Sequence, residues 1–236
     1  MDVAAEREAI LNRILSRADP DHREGMRIAV QTHLQMYGVR VPALREIAKT
    51  WYQANKDVAR DDFMALIEAL WVGASREERM VAIYLLIHFK RWIPDLTWDH
   101  FVRWTRDLDN WEINDGLAQW VLGRWLLDDP DARLDHLWDL IADEDVWKRR
   151  LALIATVWLN RGRKDVSYPE LTLAFVDRAK ADRHPMITKA VSWALRVMGT
   201  KHPERVAAYV EGNRDVLAGH VVREVENKLR TGLKSG

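Results

Sequence analysis

In the run Asn110-Trp111-Glu112-Ile113-Asn114-Asp115, a carboxylate follows a tryptophan by four residues. On a helix that spacing sets Trp111 and Asp115 on one face, a turn apart. An acid held there could lie beside a large ligand, against the face of the indole. If the chain does chemistry, Asp115 is expected to carry it. Each residue also has an ordinary account. An acid in the first turns of a helix is favoured by the macrodipole by ~0.3–1 kcal/mol, and on periodicity alone that account outweighs catalysis. Trp111 has polar neighbours, so it is either a helix-start packing residue or an exposed π face. Its spacing alone favours packing.

Other chemistries find less support. The chain has no cysteine, which removes disulfides, thiolate metal sites and cysteine nucleophiles. Its eight histidines form no HExxH or other metal-ligand spacing, and His22, His184 and His202 sit at turns beside Asp or Pro. There is no Gly-x-Ser-x-Gly elbow and no Gly-x-x-x-x-Gly-Lys loop. No cofactor and no metal is expected.

The elements that must position Asp115 are helices. Apolar residues recur every three or four positions in Ala4–Arg17, Met26–Met36, Pro42–Gln53, Asp61–Trp71 and Arg76–His88. The pattern continues in Trp98–Leu108, Trp111–Leu127, Arg133–Ile141, Val146–Asn160, Glu170–Ala181, Met186–Met198, Pro203–Glu211 and Val216–Leu229. Breaks fall at Asp19-Pro20, Tyr37-Gly38, Asp129-Pro130, Arg161-Gly162, Tyr168-Pro169, His184-Pro185 and His202-Pro203. Strand alternation is lacking throughout, so the fold class is all-α.

The helices repeat. Ala82, Ala118, Ala152 and Ala190 recur at intervals of 36, 34 and 38 residues, each inside a long helix. A small residue at a fixed place lets a paired helix approach closely. The period predicts an α-solenoid of HEAT-like repeats forming a curved, concave groove. We expect a single domain over 1–236, with N-terminal helices in 1–40 and the repeat array in 41–230. Arg79, Asp115 and Arg149 fall at equivalent places, three residues before their alanines. Among twelve tryptophans, Trp71, Trp120, Trp125, Trp138 and Trp158 read as packing residues.

The zero net charge conceals a polarity. Residues 1–144 hold 18 Lys+Arg against 26 Asp+Glu, a net of −8, and residues 145–236 hold 18 against 10, or +8. A cationic second half suits a polyanion; solvated faces on a dipolar protein account for it equally well. The acidic start, Met1 to Glu8, does not read as a secretory signal. No apolar run reaches membrane-spanning length, so a soluble cytoplasmic monomer without membrane contact is expected.

From about Met26 to Leu229 the chain resembles the AlkD-type DNA alkylation repair family, which are HEAT-like DNA glycosylases. Tyr37-Gly38-Val39-x-x-Pro42-x-x-Arg45 is similar to that family's "GI/V-x-x-P-x-x-R" entry. Trp111-Glu112-Ile113-Asn114-Asp115 resembles its "W-D-x-x-D" catalytic stretch. Trp147-Lys148-Arg149-Arg150-Leu151-Ala152 is similar to "W-x-x-R-x-A", and Lys189-Ala190-Val191-Ser192-Trp193-Ala194-Leu195-Arg196 to "K-A-(I/V)-x-W-x-L-R". Together, in this order, the motifs are specific.

The resemblance implies a catalytic aspartate at Asp115, active-site tryptophans at Trp111 and Trp193, and a phosphate-contacting arginine at Arg150. Lys148, Arg149, Lys189 and Arg196 are the accompanying DNA-binding candidates. Glu112 stands where the family carries an aspartate, Asn110 where it carries an aromatic, and Ala29 at another aromatic position. The implied activity is hydrolysis of the N-glycosidic bond of N3- or N7-alkylated purines in duplex DNA, without strand cleavage. A location in the cytoplasm, on the nucleoid when DNA is bound, goes with it. Two other functions remain open on the residues: a non-catalytic scaffold that recognises DNA structure, and a protein-interaction solenoid.

Overall fold

The computed structural model describes residues 1–161 and 167–234. Among them every regular element is helical, apart from one isolated bridge between Gln35 and Ser75. The chain divides into two compact units, Met1–Gly116 and Leu117–Gly236.

The first unit contains α1 (Val3–Leu15), α2 (Pro20–Ala29), α3 (Val41–Ala54), α4 (Arg60–Trp71), α5 (Arg76–His88) and α6 (Trp98–Thr105). A 3-10 turn, Lys90–Trp92, follows α5, and all of α7 (Trp111–Leu117) but its last residue belongs to this unit. α1 packs on α3, α4 and α5, while α5 also packs on α3 and α4. An aromatic cluster fills the centre. Phe63 lies 4.4 Å from Phe89, and Phe89 stacks on Trp92 at 4.8 Å. Buried Trp71 lies 5.4 Å from Trp104 and donates its indole N–H to that residue's carbonyl.

The second unit begins with a π turn, Ala118–Leu122, and α8 (Gly123–Asp128). Next come α9 (Pro130–Ala142), α10 (Val146–Arg161), α11 (Pro169–Ala179), α12 (Pro185–Met198), α13 (Pro203–Gly212) and α14 (Gly219–Thr231). Sequence neighbours pair, α9 with α10, α11 with α12 and α13 with α14. The second helix of each pair then packs on the next, α10 on α12 and α12 on α14, and α9 touches α11. This is the stacking of paired helices expected from the repeat.

Local sequence explains the boundaries. Six of the seven prolines sit in the first turn of a helix, where the missing N–H costs nothing. Asp2, Asp19, Ser75 and Asp129 cap helix starts with their side chains, Ser75 in a reciprocal box with Glu78. The four repeat alanines are all fully buried. At Gly123 a Cβ would lie 2.6 Å from the Cβ of Trp158, so only glycine lets α8 approach α10 this closely.

One expected helix is not there. The periodicity in 26–36 predicts continuous helix, but α2 stops at Ala29 and Val30 turns extended. Tertiary hydrogen bonds take this backbone instead. The N–H of Gln35 donates to the Ala74 carbonyl, and the Gln35 carbonyl accepts from Arg76. His33 donates its backbone N–H to Asp109. These bonds replace the helical ladder that the pattern invites.

Candidate active site

α7 carries both Trp111 and Asp115. Asn110 caps it, accepting the Ile113 N–H on Oδ1 at 3.0 Å. Ile113 and Asn114 turn fully inward, and Asp115 is 8% exposed. The carboxylate is more enclosed than its sequence setting suggests, because three consecutive residues of α7 face the packed side. Trp111, one turn earlier, is 36% exposed. Its indole N–H donates to the Ala29 carbonyl at 2.8 Å, which fixes the ring while leaving much of it open.

Two carboxylates beside Trp111 hold the start of α7. Glu112 accepts from Nε and Nη2 of Arg76 at 2.7 and 2.5 Å. Arg76 is 1% exposed and also donates to the Val39 carbonyl and to Glu77. Burial works against the Arg76 charge, but its pairing with Glu112 and Glu77 outweighs that and raises its pKa. Glu77, fully buried, accepts the backbone N–H groups of Tyr37, Gly38 and Val39 on one oxygen. On the other side, Asp109 accepts from the Thr32 hydroxyl and from the His33 N–H and meets His33 Nδ1, each at 2.6 Å. Asp107 takes two hydrogen bonds from Arg79, at 3.0 and 2.7 Å.

Partial burial pushes the carboxyls of Asp107 and Asp109 up. Arg79 outweighs it at Asp107, and Thr32, His33 and Asn110 outweigh it at Asp109, so both stay below the ordinary range.

The remaining candidates lie in the second unit. Lys148, Arg149 and Arg150 are in the first turns of α10; Lys189, Trp193 and Arg196 are on α12, which packs against it. Arg150 is 5% exposed and donates to the Met186 carbonyl at the start of α12. Arg149 pairs with Asp182 at 3.2 Å and donates to the carbonyls of Asp143 and Glu144. Lys148 bonds Asp143 at 2.8 Å, which raises its pKa. Lys189 is exposed. Trp193 lines a cavity of about 360 Å³ with Asn160, Arg161, Arg196, Lys201 and Lys228. Burial lowers the pKa of Arg196 against the opposing pull of Glu224 at 3.8 Å.

Sequence reasoning singled out Trp193 and Arg196 but missed Arg161, Lys201 and Lys228 around the same cavity. It also missed Arg76, Asp107 and Asp109. The spacing Asp107-x-Asp109-Asn110 just before a helix is the one signal that pointed to them. Among the described residues no group of three or more His, Asp or Glu side chains is placed to hold a metal ion. None of the helices there is long and apolar enough to cross a membrane.

Stacked helical pairs define an all-α protein, with an enclosed acid a turn from an anchored indole in one unit and a cation-lined cavity beside a second indole in the other. The family model for the DNA alkylation repair enzyme matches residues 10–229, and the chain belongs to that family. A role in repair of alkylated DNA, with DNA as the partner, goes with membership. The fold is similar to the structure of a predicted DNA alkylation repair enzyme from Enterococcus faecalis. The TM-score is 0.70 at 19% identity, over 90% of this chain and 96% of that one. No curated protein sequence matches the chain significantly.

Proposed function

We propose that the protein is a monofunctional DNA glycosylase acting on cationic N3- or N7-alkylated purines in duplex DNA. The observation that carries this reading is Asp115, 8% exposed, one helical turn from an indole held at 36% exposure, in a chain of the DNA alkylation repair family.

The chemistry follows from charge. An N7- or N3-alkylated purine is already cationic, so it departs as a neutral base without a general acid. The C1′–N bond breaks, its electron pair neutralises the purine, and positive charge develops on the sugar. An enclosed carboxylate stabilises that oxocarbenium ion more strongly than a solvated one, because less water screens it. Asp115 also orients the water that attacks C1′; the water's proton passes to the carboxylate or to solvent. The Trp111 face holds the cationic lesion or its sugar, worth ~0.5–2 kcal/mol as a cation–π contact. Trp193 offers a second such face. Arg150, with Lys148, Lys189 and Arg196, serves the phosphates, which fix register but not sequence; Arg149 joins them only by giving up Asp182 and the two carbonyls it holds. The products are free base and an abasic site in an uncut strand.

The enclosure of Asp115 also favours a second reading, a helical scaffold that binds DNA structure and breaks no bond. Methylated duplex DNA incubated with wild type and with Asp115→Asn separates the two. Release of 7-methylguanine and 3-methyladenine by wild type and not by the variant supports the glycosylase. Equal release removes Asp115 from the role. Salt-dependent DNA binding with no release selects the scaffold, and no DNA affinity leaves a protein-interaction solenoid.

A further inference from the structure

The platform residue Trp111 takes its ring anchor from Ala29, 82 positions away, the last residue of α2, where helix gives way to extended backbone. The stretch after Ala29 buries Val30, Leu34 and Met36 but has no helical ladder to set its backbone. Gln31 and His33 are exposed, and α2 ends with an extended Val30. The stretch is tied down at both ends. At Gln35 the backbone exchanges hydrogen bonds with the strand-like edge at Ala74 and Arg76. At Thr32 and His33 it is held chiefly by Asp109, two residues before Trp111.

Asp109 uses both carboxylate oxygens. Oδ1 accepts from the Thr32 hydroxyl at 2.6 Å and from Asn110 Nδ2 at 3.1 Å; Oδ2 accepts the His33 backbone N–H and meets His33 Nδ1, each at 2.6 Å. His33 Nε2 lies 3.7 Å from Asp107, so the ring is bracketed by two acids. Thr32 Oγ also accepts from the Leu34 N–H and from Asn110 Nδ2, the latter belonging to the cap of α7. Charge-assisted bonds of this length are the strong ones. Together they bring the Ala29 carbonyl and the Trp111 N–H to one geometry from two directions.

We propose that Asp109 is a positioning residue for the Trp111 indole: by gathering Thr32 and His33 it fixes the 29–33 segment, whose Ala29 carbonyl then sets the ring's orientation. Asp109 acts through the segment and touches no substrate. The proposal deepens the glycosylase reading by naming what aims its platform. The clasp itself is testable without substrate.

The test uses the full chain labelled with 5-fluorotryptophan, the Trp111 fluorine resonance being identified by its loss in Trp111→Phe. In Asp109→Ala that resonance shifts or broadens, and the single-turnover rate of base release falls roughly 10- to 100-fold, as expected for a misaimed contact. DNA affinity stays within about threefold, because the phosphate contacts are untouched. Asp109→Asn keeps an acceptor for Thr32 and recovers part of both signals. Should Asp109→Ala fail to fold, Thr32→Val removes one arm of the clasp isosterically and moves the same resonance by less. An unmoved Trp111 resonance in folded Asp109→Ala, or in Thr32→Val if only that variant folds, overturns the proposal. If wild type releases no base, the glycosylase reading fails while the resonance still decides the clasp.

Discussion

The indole N–H of Trp111 donates to the carbonyl of Ala29 at 2.8 Å. This one bond lets an aromatic ring stay 36% exposed without being free to swing. An exposed ring that keeps one orientation loses less entropy when a ligand stacks on it than a mobile one. Trp111→Phe keeps a π face but removes the donor, whereas Trp111→Ala removes both. We expect base release to fall by about 1–2 kcal/mol, roughly five- to thirtyfold, in Trp111→Ala, and by less in Trp111→Phe. Single-turnover rates on 7-methylguanine DNA measure it; equal rates for all three proteins would take the ring out of the reaction.

The Arg76–Glu112 pair makes a different demand. Arg76 is 1% exposed, and its charge is matched by Glu112 and Glu77. Removing Glu112 takes two hydrogen bonds from Arg76 in a place water does not reach, and leaves it with Glu77 and the Val39 carbonyl. Glu112→Ala should therefore cost about 1.5–3 kcal/mol of folding stability. A denaturant titration reads this as a lower midpoint with little change in slope. Loss of base release in Glu112→Ala below its melting range, with Tm unchanged, would argue for direct contact with substrate instead.

How much of this was legible beforehand depends on the reach of each interaction. Prolines and capping residues act within a turn, so most helix boundaries could be read from the sequence. The repeat alanines could be found because packing fixes their period, and all four are fully buried. Trp111 and Asp115 share a helix, so their common turn was visible too. The helix expected over 26–36 failed because Asp109, Ala74 and Arg76 capture its backbone from 39 to 76 positions away, and no local pattern records that. The π turn at Ala118–Leu122 was equally hidden. One shifted hydrogen bond leaves the apolar spacing nearly intact. The enclosure of Asp115 depends on what packs over it, which its polar neighbours in sequence misrepresent.

Gly38 shows why the Tyr37-Gly38-Val39 motif has its form. Its φ is +79°, and a Cβ there would lie 2.1 Å from the Asp19 carbonyl oxygen and 2.8 Å from Arg23. The turn it permits delivers three successive N–H groups to Glu77. Gly38→Ala must accept both the left-handed backbone and the clash, so we expect a loss of about 2–4 kcal/mol. Thermal unfolding checks it; a Tm within a degree of wild type would show that the turn can rearrange.

Acid should open the contacts on the Asp107 and Asp109 side of Trp111. Both carboxyls lie below the ordinary value of 3.8 in the folded chain. The unfolded chain therefore binds protons first as the pH drops. The stability these groups contribute is complete above the unfolded value and is lost as the pH falls through the lower folded values. At neutral pH Asp109→Asn should be less stable than wild type. Below the ordinary carboxylate pKa the margin should shrink. Melting curves from pH 7 to pH 3 show whether it does; a margin that stays constant throughout would mean that Asp109 is not the titrating group.

Not every cation proposed for DNA should matter in the same way. Lys189 is exposed on α12, whereas Arg149 is tied to Asp182 and to two carbonyls of the α9–α10 turn. A phosphate contact by Lys189 releases a condensed counterion. Lys189→Ala should then flatten the slope of log affinity against log salt by about 0.9 and weaken binding evenly across sequences. For Arg149 to reach a phosphate it must first give up these partners. Arg149→Ala should mainly lower stability, by about 1–3 kcal/mol, because it leaves Asp182 and the turn carbonyls without their donor. Fluorescence anisotropy with unmodified duplex at several salt concentrations, alongside melting curves, separates the two. If Arg149→Ala flattened the salt slope as much as Lys189→Ala at unchanged Tm, the partners of Arg149 would have to be exchangeable for phosphate.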